Sequence, residues 1–217
     1  MTSRSLLVAM LCAAAITAEF VGGKATLDAL FLTSLGATAL PAMLIVTAFC
    51  SMLLVAVQLK AARKLSPSVL VPALFAASGV LFLLEWYCRP LAPSAVAVAV
   101  YLHVSGAGPL LASGFWLVAS ERFDPRTAKA RFGQIAGAGT FGGLLGALLS
   151  ERVAAVLGAT PMLLFLGGLQ LLAAWLVSLL VDTQSARSNT PAAPDPADSS
   201  ARSSVRVAAH APHLATS

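Results

Sequence analysis

The stretch FGQIAGAGTFGGLLGALL, residues 132–149, decides the fold class of this chain. It contains GAGTFG (137–142), which fits the GxGxxG pattern of dinucleotide-binding loops. Such a loop needs a preceding strand and an acidic residue about 20 positions later in a βαβ unit. Here a basic segment precedes the glycines and an apolar run follows them. The glycines instead recur at intervals of four, which lets two transmembrane helices approach closely. The stretch therefore predicts a helix-packing surface within a membrane, formed by Gly133, Gly137, Gly139, Gly142, Gly143 and Gly146.

The composition of the whole chain agrees with a membrane environment. Of 217 residues, 58% are hydrophobic and only 11% are charged, whereas soluble domains carry roughly 25% charged residues. So few charges could not cover the surface of a water-soluble fold. Long apolar runs dominate over period-2 alternation, so the spans are helices and not barrel strands. The sequence predicts an all-α integral membrane protein.

Six apolar runs are long enough to approach the ~20 residues that a membrane-crossing helix needs. They form a predicted transmembrane domain over residues 1–181, and a disordered cytoplasmic tail rich in Ser, Ala, Pro and Asp is predicted for 182–217. The predicted spans cover residues 6–22, 37–59, 69–88, 95–120, 132–149 and 160–181.

The lysines and arginines predict the orientation. With a cytoplasmic amino terminus, 11 of the 14 basic residues fall on the cytoplasmic side, as the positive-inside rule requires. An even number of spans then places both termini in the cytoplasm, and we expect a bacterial-type inner membrane. The net charge of +5 reflects this topology and attraction to the inner leaflet, and does not indicate nucleic acid. A cleaved signal peptide is the alternative for the first span, although its removal would break the charge asymmetry.

No sequence feature supports an enzyme. The chain has no GxSxG, HExxH, paired CxxC or Walker-type lysine, each of which places reactive groups or phosphate ligands at a defined spacing. Three unpaired cysteines within or at the ends of spans indicate packing residues, and no histidine has ligand partners at metal-binding spacing. We expect no cofactor and no metal.

Ionisable residues near or inside the spans are the candidates for a substrate pathway, because burying a charge in a bilayer costs at least ~2.5 kcal/mol. The candidates are Glu19, Lys24, Asp28 and His103. Glu19 lies either at the headgroup level or in a solvated cavity. Lys24 and Asp28 share a helix face at i,i+4 spacing, as a solvated ion pair or as part of a cavity rim. His103 precedes SGAGP (105–109), which should loosen the helix, so it either lines a transport pathway or bonds to a neighbouring helix.

Glu85 is assigned to the outer membrane interface. It lies beside Trp86 and Tyr87, and aromatic residues mark that depth. Arg89 at i+4 is its expected partner, and a proton relay is the alternative.

The segment SERFDPRTAKARFG (120–133) joins spans four and five. It is either a cytoplasmic topology anchor or a set of salt bridges that clamps helix ends in one state of a moving transporter, and both can hold. The clamp candidates are Glu121, Arg122, Asp124, Arg126, Lys129 and Arg131.

Two blocks, KATLDALFLTSLGATALP (24–41) and residues 101–150, resemble the ATP/ADP-carrier-type nucleotide transporters, which are related to the major facilitator superfamily. The resemblance covers about residues 5–181 and corresponds to the amino-terminal six-helix half. It implies a rocker-type carrier built from two inverted three-helix repeats. Family members normally have about twelve spans, and they tend to carry a basic residue where Leu27 stands here.

Two functions follow as expectations. The first is a transporter, or half of one, that exchanges nucleotides or another small anionic solute by alternating access. Its partners would be the lipid bilayer and a second half, from another copy or another polypeptide. The second is a non-transporting anchor, assembly subunit or truncated carrier. A transporter should bring its few polar residues onto converging faces, whereas an anchor should scatter them toward the headgroups.

Overall fold

A computed structural model describes residues 3–122 and 125–188, with the side chains of 4–121 and 131–182. Seven α-helices make up nearly all of this part of the chain. They are α1 (Ser3–Leu35), α2 (Leu40–Ala62), α3 (Pro67–Cys88), α4 (Pro93–Leu102), α5 (Gly108–Arg122), α6 (Pro125–Leu157) and α7 (Ala159–Ser188). A short 3-10 turn, Ala37–Ala39, precedes α2, and a π-helical turn, His103–Ala107, joins α4 to α5. We call the latter the π segment.

Six helices are long and apolar enough to cross a membrane among the described residues. In this count α4, the π segment and α5 form one continuous span, Pro93–Glu121. The all-helical class is therefore confirmed, and the number of helices long and apolar enough to span matches the six predicted from the apolar runs. Residues up to Thr183 form one compact unit. The predicted tail begins within α7, which continues to Ser188, and residues 189–217 lie outside the described residues.

The first and fifth spans are longer than predicted. Both α1 and α6 have 33 residues, about 50 Å at 1.5 Å per residue, where the sequence predicted ends near residues 22 and 149. Each ends at a glycine with positive φ, Gly36 (φ 78°) and Gly158 (φ 84°). In both, the glycine N–H donates to the carbonyl four residues earlier, and glycine adopts the positive φ without a Cβ penalty. Lys24 and Asp28 consequently lie inside a helix and not in an outer loop.

The most extensive helix–helix contact of the described chain joins α1 to α6. A Cβ added to Gly142 would overlap the backbone of Ala14, and one added to Gly146 would lie 2.5 Å from the carbonyl oxygen of Ala18. A Cβ added to Gly139 or to Gly143 would lie 3.1 Å from a side-chain atom of Thr17. We call this surface the glycine contact: Gly139, Gly142, Gly143 and Gly146 of α6 against Ala13, Ala14, Thr17 and Ala18 of α1.

Two of the six glycines predicted for packing are not part of this contact. A Cβ added to Gly133 or Gly137 would meet open space, with no atom of a neighbouring helix within 4 Å. They lie on the same helix at the same spacing, but on the opposite side of α6 from Gly142 and Gly146, because nine residues correspond to about two and a half turns. A spacing of four residues places each pair of glycines on one face, and the rotation of α6 against α1 decides which face is used.

Buried apolar side chains form two clusters. One contains Phe75 and Phe115, together with residues of α1 and α7. The other contains Phe31, Phe82 and Met162, and it surrounds α4 and the start of the π segment. Helices α1, α3 and α7 contribute to both clusters. Helix α2 is the most exposed of the six spans.

The π segment arises from local sequence. Pro109 has no N–H, so it cannot donate to the carbonyl of Ser105, and its ring would collide with that carbonyl in a regular α-helix. Widening the turn before the proline avoids the collision. The sequence predicted a loosened helix here. The structure has a widened turn within a continuous helix, near the middle of the span.

Candidate functional site

Four polar side chains from three membrane spans meet at the π segment. Ser78 and Glu85 come from α3, His103 from the π segment and Gln170 from α7. Their exposed fractions are 6%, 4%, 7% and 1%. We call this group the polar cluster.

The polar cluster is one connected hydrogen-bond chain. Gln170 Nε2 donates to Ser78 Oγ at 3.2 Å. Ser78 Oγ lies 2.8 Å from His103 Nε2. On the other side of the ring, His103 Nδ1 lies 3.2 Å and 3.3 Å from the two Glu85 carboxylate oxygens. Both ring nitrogens are therefore engaged.

Helix geometry explains how one imidazole reaches both residues of α3. Ser78 and Glu85 are seven residues apart, which is two turns, so they lie on the same face. Phe82 lies between them on that face, and its ring centroid is 4.3 Å from that of His103. The Phe82 ring packs against the His103 imidazole and covers one side of it. Leaving the α-helical register at the π segment changes the direction of His103 relative to the residues that precede it.

The hydrogen-bond roles follow from the acceptors. An ionised Glu85 can only accept, so His103 Nδ1 carries a proton and donates to it. In a neutral imidazole Nε2 then accepts from the Ser78 hydroxyl, and Gln170 donates to the serine oxygen. Gln170 Oε1 is left buried without a hydrogen-bond partner among the described residues, an arrangement that buried polar groups normally avoid.

Helix α1 approaches the opposite side of the π segment. Lys24 Nζ donates to Ser105 Oγ at 3.3 Å, and a Cβ on Gly23 would lie 3.2 Å from Val104. Glu19, 5% exposed and near the middle of the first span, has no hydrogen-bond partner in the described part of the chain. Asp28 is exposed.

The structure thus brings together some of the predicted pathway residues. His103 and Lys24 both contact or belong to the π segment, and Glu19 lies one turn before Gly23, its Oε1 3.5 Å from that residue's Cβ position. Asp28 does not join them: Lys24 bonds to Ser105, and no ion pair between Lys24 and Asp28 occurs among the described side chains.

The expected pairing of Glu85 with Arg89 is not what the structure has. Glu85 is buried and pairs with His103. Arg89 instead donates to the carbonyl of Pro93 and, at 3.2 Å, to Ser34 Oγ. The neighbouring aromatic residues were a poor guide to Glu85. Trp86 and Tyr87 are exposed, whereas Glu85 is buried between the packed helices.

Sequence reasoning did not identify Ser78 and Gln170. The usable signal for Ser78 was its seven-residue spacing from Glu85 in an apolar span. Gln170 lies in MLLFLGGLQLLAAWLV (162–177), where it is the one side chain with an amide or a charge. A polar residue near the centre of such a run needs a partner, although the sequence does not say which.

The predicted clamp falls mostly outside the described side chains. The structure replaces the predicted 120–131 loop by the end of α5 and the start of α6. Glu121 is exposed, and Arg131 donates to Gln134 Oε1 at 3.3 Å. Asp124 and the side chains of Arg122, Arg126 and Lys129 lie outside the described residues.

A cavity of about 220 Å³ reaches the polar cluster. It lies between α2, α3, the π segment and α5, and its walls are apolar except for Gln58, Ser78 and His103. Its volume exceeds the ~30 Å³ that one water occupies in the liquid. The cavity therefore has room for water, with Gln58, Ser78 and His103 as its polar partners.

The order Ser78–His103–Glu85 also matches a nucleophile, a base and an orienting carboxylate. Acyl transfer additionally requires donors for the oxyanion. The backbone N–H groups around Ser78 belong to the interior of α3, which uses them for its own hydrogen bonds. The cluster is better suited to holding and passing a proton. The described residues include no group of three or more His, Cys, Asp or Glu that could hold a metal ion.

No protein-family profile, curated protein or solved structure matches this chain.

Proposed function

We propose that this chain is a membrane transporter, or half of one, that moves a small anionic solute by alternating access. The observation that supports it is the convergence of polar side chains on the π segment. An anchoring protein should place its few polar residues near the headgroups, because burying them in the membrane costs free energy and an anchor has no function that requires it. Here Ser78, His103 and Gln170 lie near the middle of their spans and contact one another.

A widened turn at mid-span is suited to such a role. Irregular helical backbone within a membrane is tolerated where it is buried in protein or lines a water-filled cavity, and substrate sites of secondary transporters are typically built from such helices. The π segment packs against neighbouring helices, and His103 and Ala107 line the 220 Å³ cavity.

Lys24 is the residue proposed to attract the solute. Its ammonium group is exposed and lies against the π segment through Ser105. An ammonium at that position favours an anion, and the resemblance to nucleotide carriers makes ADP, ATP and inorganic phosphate the solutes to try first. Enclosing a central site would need a second six-helix half, from another copy of this chain or another polypeptide.

Reconstitution tests this function. Purified protein in liposomes should exchange labelled ADP, ATP or inorganic phosphate faster than empty vesicles do. Lys24→Gln should reduce that exchange several-fold. Lys60→Gln, which removes an equally exposed lysine at the end of α2, should not. Wild-type exchange equal to that of empty vesicles for all three solutes would remove the proposed solute class.

Native mass spectrometry from the same preparation addresses the second half. A dimer is expected if two copies enclose the site. A strictly monomeric protein that still exchanges solute would contradict the homodimer and indicate a different partner or a complete carrier.

A further inference from the structure

We propose that the polar cluster is a binding site for a single proton, which the Glu85–His103 pair takes up through the Ser78 hydroxyl while Gln170 exchanges its hydrogen bond to Ser78. The proposal deepens the transport function and rests on it for its coupling role, because it names the ion that drives solute movement. Its structural core, the protonation of the pair, does not depend on transport.

The charge of the cluster gives the first argument. With Glu85 ionised and His103 neutral, the four side chains carry one net negative charge, and each is less than one-tenth exposed. An isolated charge in this environment is unfavourable. One added proton makes the cluster neutral overall, as an imidazolium–carboxylate pair with a charge-assisted hydrogen bond. Burial therefore favours the proton-loaded form, whereas the Gln170 orientation in the structure matches the unloaded one.

The surrounding elements bring few other charges to the pair. From α1, Glu19 and Lys24 lie across the π segment, on the side of Val104 and Ser105. From α2 the cavity wall contains Gln58, and from α7 the contact is Gln170, both uncharged. On α4, the ring of Tyr101 packs on Phe31 with centroids 4.9 Å apart. Among the described side chains, Glu85 is thus the charged group that contacts His103.

The orphan oxygen of Gln170 gives the second argument. When a proton adds to the lone pair of His103 Nε2, that nitrogen changes from acceptor to donor toward Ser78 Oγ. The serine hydroxyl must then donate elsewhere. A half-turn of the Gln170 amide places Oε1, which lacks a partner in the described structure, where Nε2 now lies, 3.2 Å from Ser78 Oγ. The same four side chains can therefore hold both protonation states with every contact along the chain retained.

Access and motion complete the argument. The cavity has room for water beside Ser78, so a water molecule gives a proton to Ser78 Oγ while the serine passes its own hydrogen to His103 Nε2. An N–H bond forms, and the hydroxide left behind is neutralised by the bulk. His103 lies on the π segment, whose opposite side is bonded to Lys24. A shift of this turn that follows proton release would move Ser105 relative to Lys24, which links proton occupancy to the proposed solute site.

Direct detection of the proton is the deciding experiment. The chain has three histidines, so His210→Ala with His213→Ala leaves His103 as the single imidazole for ¹⁵N NMR of the protein in lipid nanodiscs. Between about pH 5 and 8, the spectrum should show both ring nitrogens protonated over a range where Glu85→Gln shows only one. Glu151→Gln, which removes an exposed carboxylate of α6, should match the parent protein.

Glu85→Asp is the control for a general effect of substitution at this position. It keeps the carboxylate and should therefore keep the imidazolium signal. A neutral His103 throughout this pH range, or identical spectra for the parent and Glu85→Gln, would overturn the proton site even if the protein transports solute.

The coupling is read separately in proteoliposomes with labelled ADP and with labelled phosphate. A pH gradient of one unit should drive up to about tenfold accumulation for one proton per solute, and Glu85→Gln should abolish that accumulation whereas Glu151→Gln retains it. Accumulation that is independent of the gradient in wild type would contradict the coupling. No movement of either solute, together with the expected NMR result, would contradict the transport function and leave the proton site standing.

Discussion

The glycine contact and the polar cluster both lie in the interior of the same six-span unit, but different interactions stabilise them. In the glycine contact the backbones of α1 and α6 approach so closely that Gly142 and Gly146 have no room for a Cβ, and dispersion over a continuous surface provides the attraction. In the polar cluster the helices are held by four side chains in one hydrogen-bond chain. The glycine contact packs well in a single relative position of the two helices. The polar cluster can exchange donors and acceptors without losing its contacts, so we assign rigidity to the α1–α6 pair and switching to the π segment.

The largest effect is expected where the polar cluster is broken on one side. His103→Leu leaves the Glu85 carboxylate buried without a partner, which should lower the free energy of unfolding by about 3–5 kcal/mol. Replacing both residues by leucine should recover most of that loss, because no charge is then stranded. Unfolding in mixed detergent micelles measures both proteins. A double variant as unstable as the single one would show that the pair supports the fold through packing and not through charge compensation.

The next effect concerns the glycine contact. Gly142→Ala places a methyl group against the backbone of Ala14, and overpacking of this kind costs about 1–3 kcal/mol. Gly137→Ala is the matched control on the same helix, where the space is open and alanine is the better helix former. Thermal unfolding should rank Gly142→Ala below wild type and Gly137→Ala at or above it. Equal destabilisation by the two would contradict the close approach of α1.

A smaller effect is expected at the helix ends that flank both regions. Gly36→Ala and Gly158→Ala force a side chain into the left-handed conformation, at a cost of about 1–2 kcal/mol. No neighbouring atom lies within 4 Å of either Cβ position, so the loss reports backbone strain alone. Gly168→Ala, also with open space but within α7, should show no loss in the same assay.

The smallest stability effect should come from the α1 side of the π segment. Ser105→Ala removes the hydrogen bond from the exposed Lys24, and we expect the unfolding free energy to stay within about 0.5 kcal/mol. Solute exchange should nevertheless fall. Unchanged exchange would separate Ser105 from the solute path while leaving the polar cluster untouched.

Some features of the fold could be predicted from the sequence alone. Apolar runs with few charges were sufficient for the six-span membrane class, because a bilayer accepts helices of that length and little else. Pro109 was sufficient for a distorted turn after His103, because its missing N–H is a local property. The spacing of glycines in α6 was sufficient to predict a packing face.

The tertiary structure decided which groups on these helices meet. Gly133 and Gly137 have the same spacing as Gly142 and Gly146, but only the second pair lies on the face of α6 that contacts α1. Glu85 has Arg89 at helical spacing, yet its partner is His103 of another span, and Ser78 bonds to Gln170, 92 residues away. Composition and periodicity are properties of each helix taken alone, so they can be read directly from the sequence. Which polar group faces which depends on how the helices are rotated and placed against one another, and no single helix determines that.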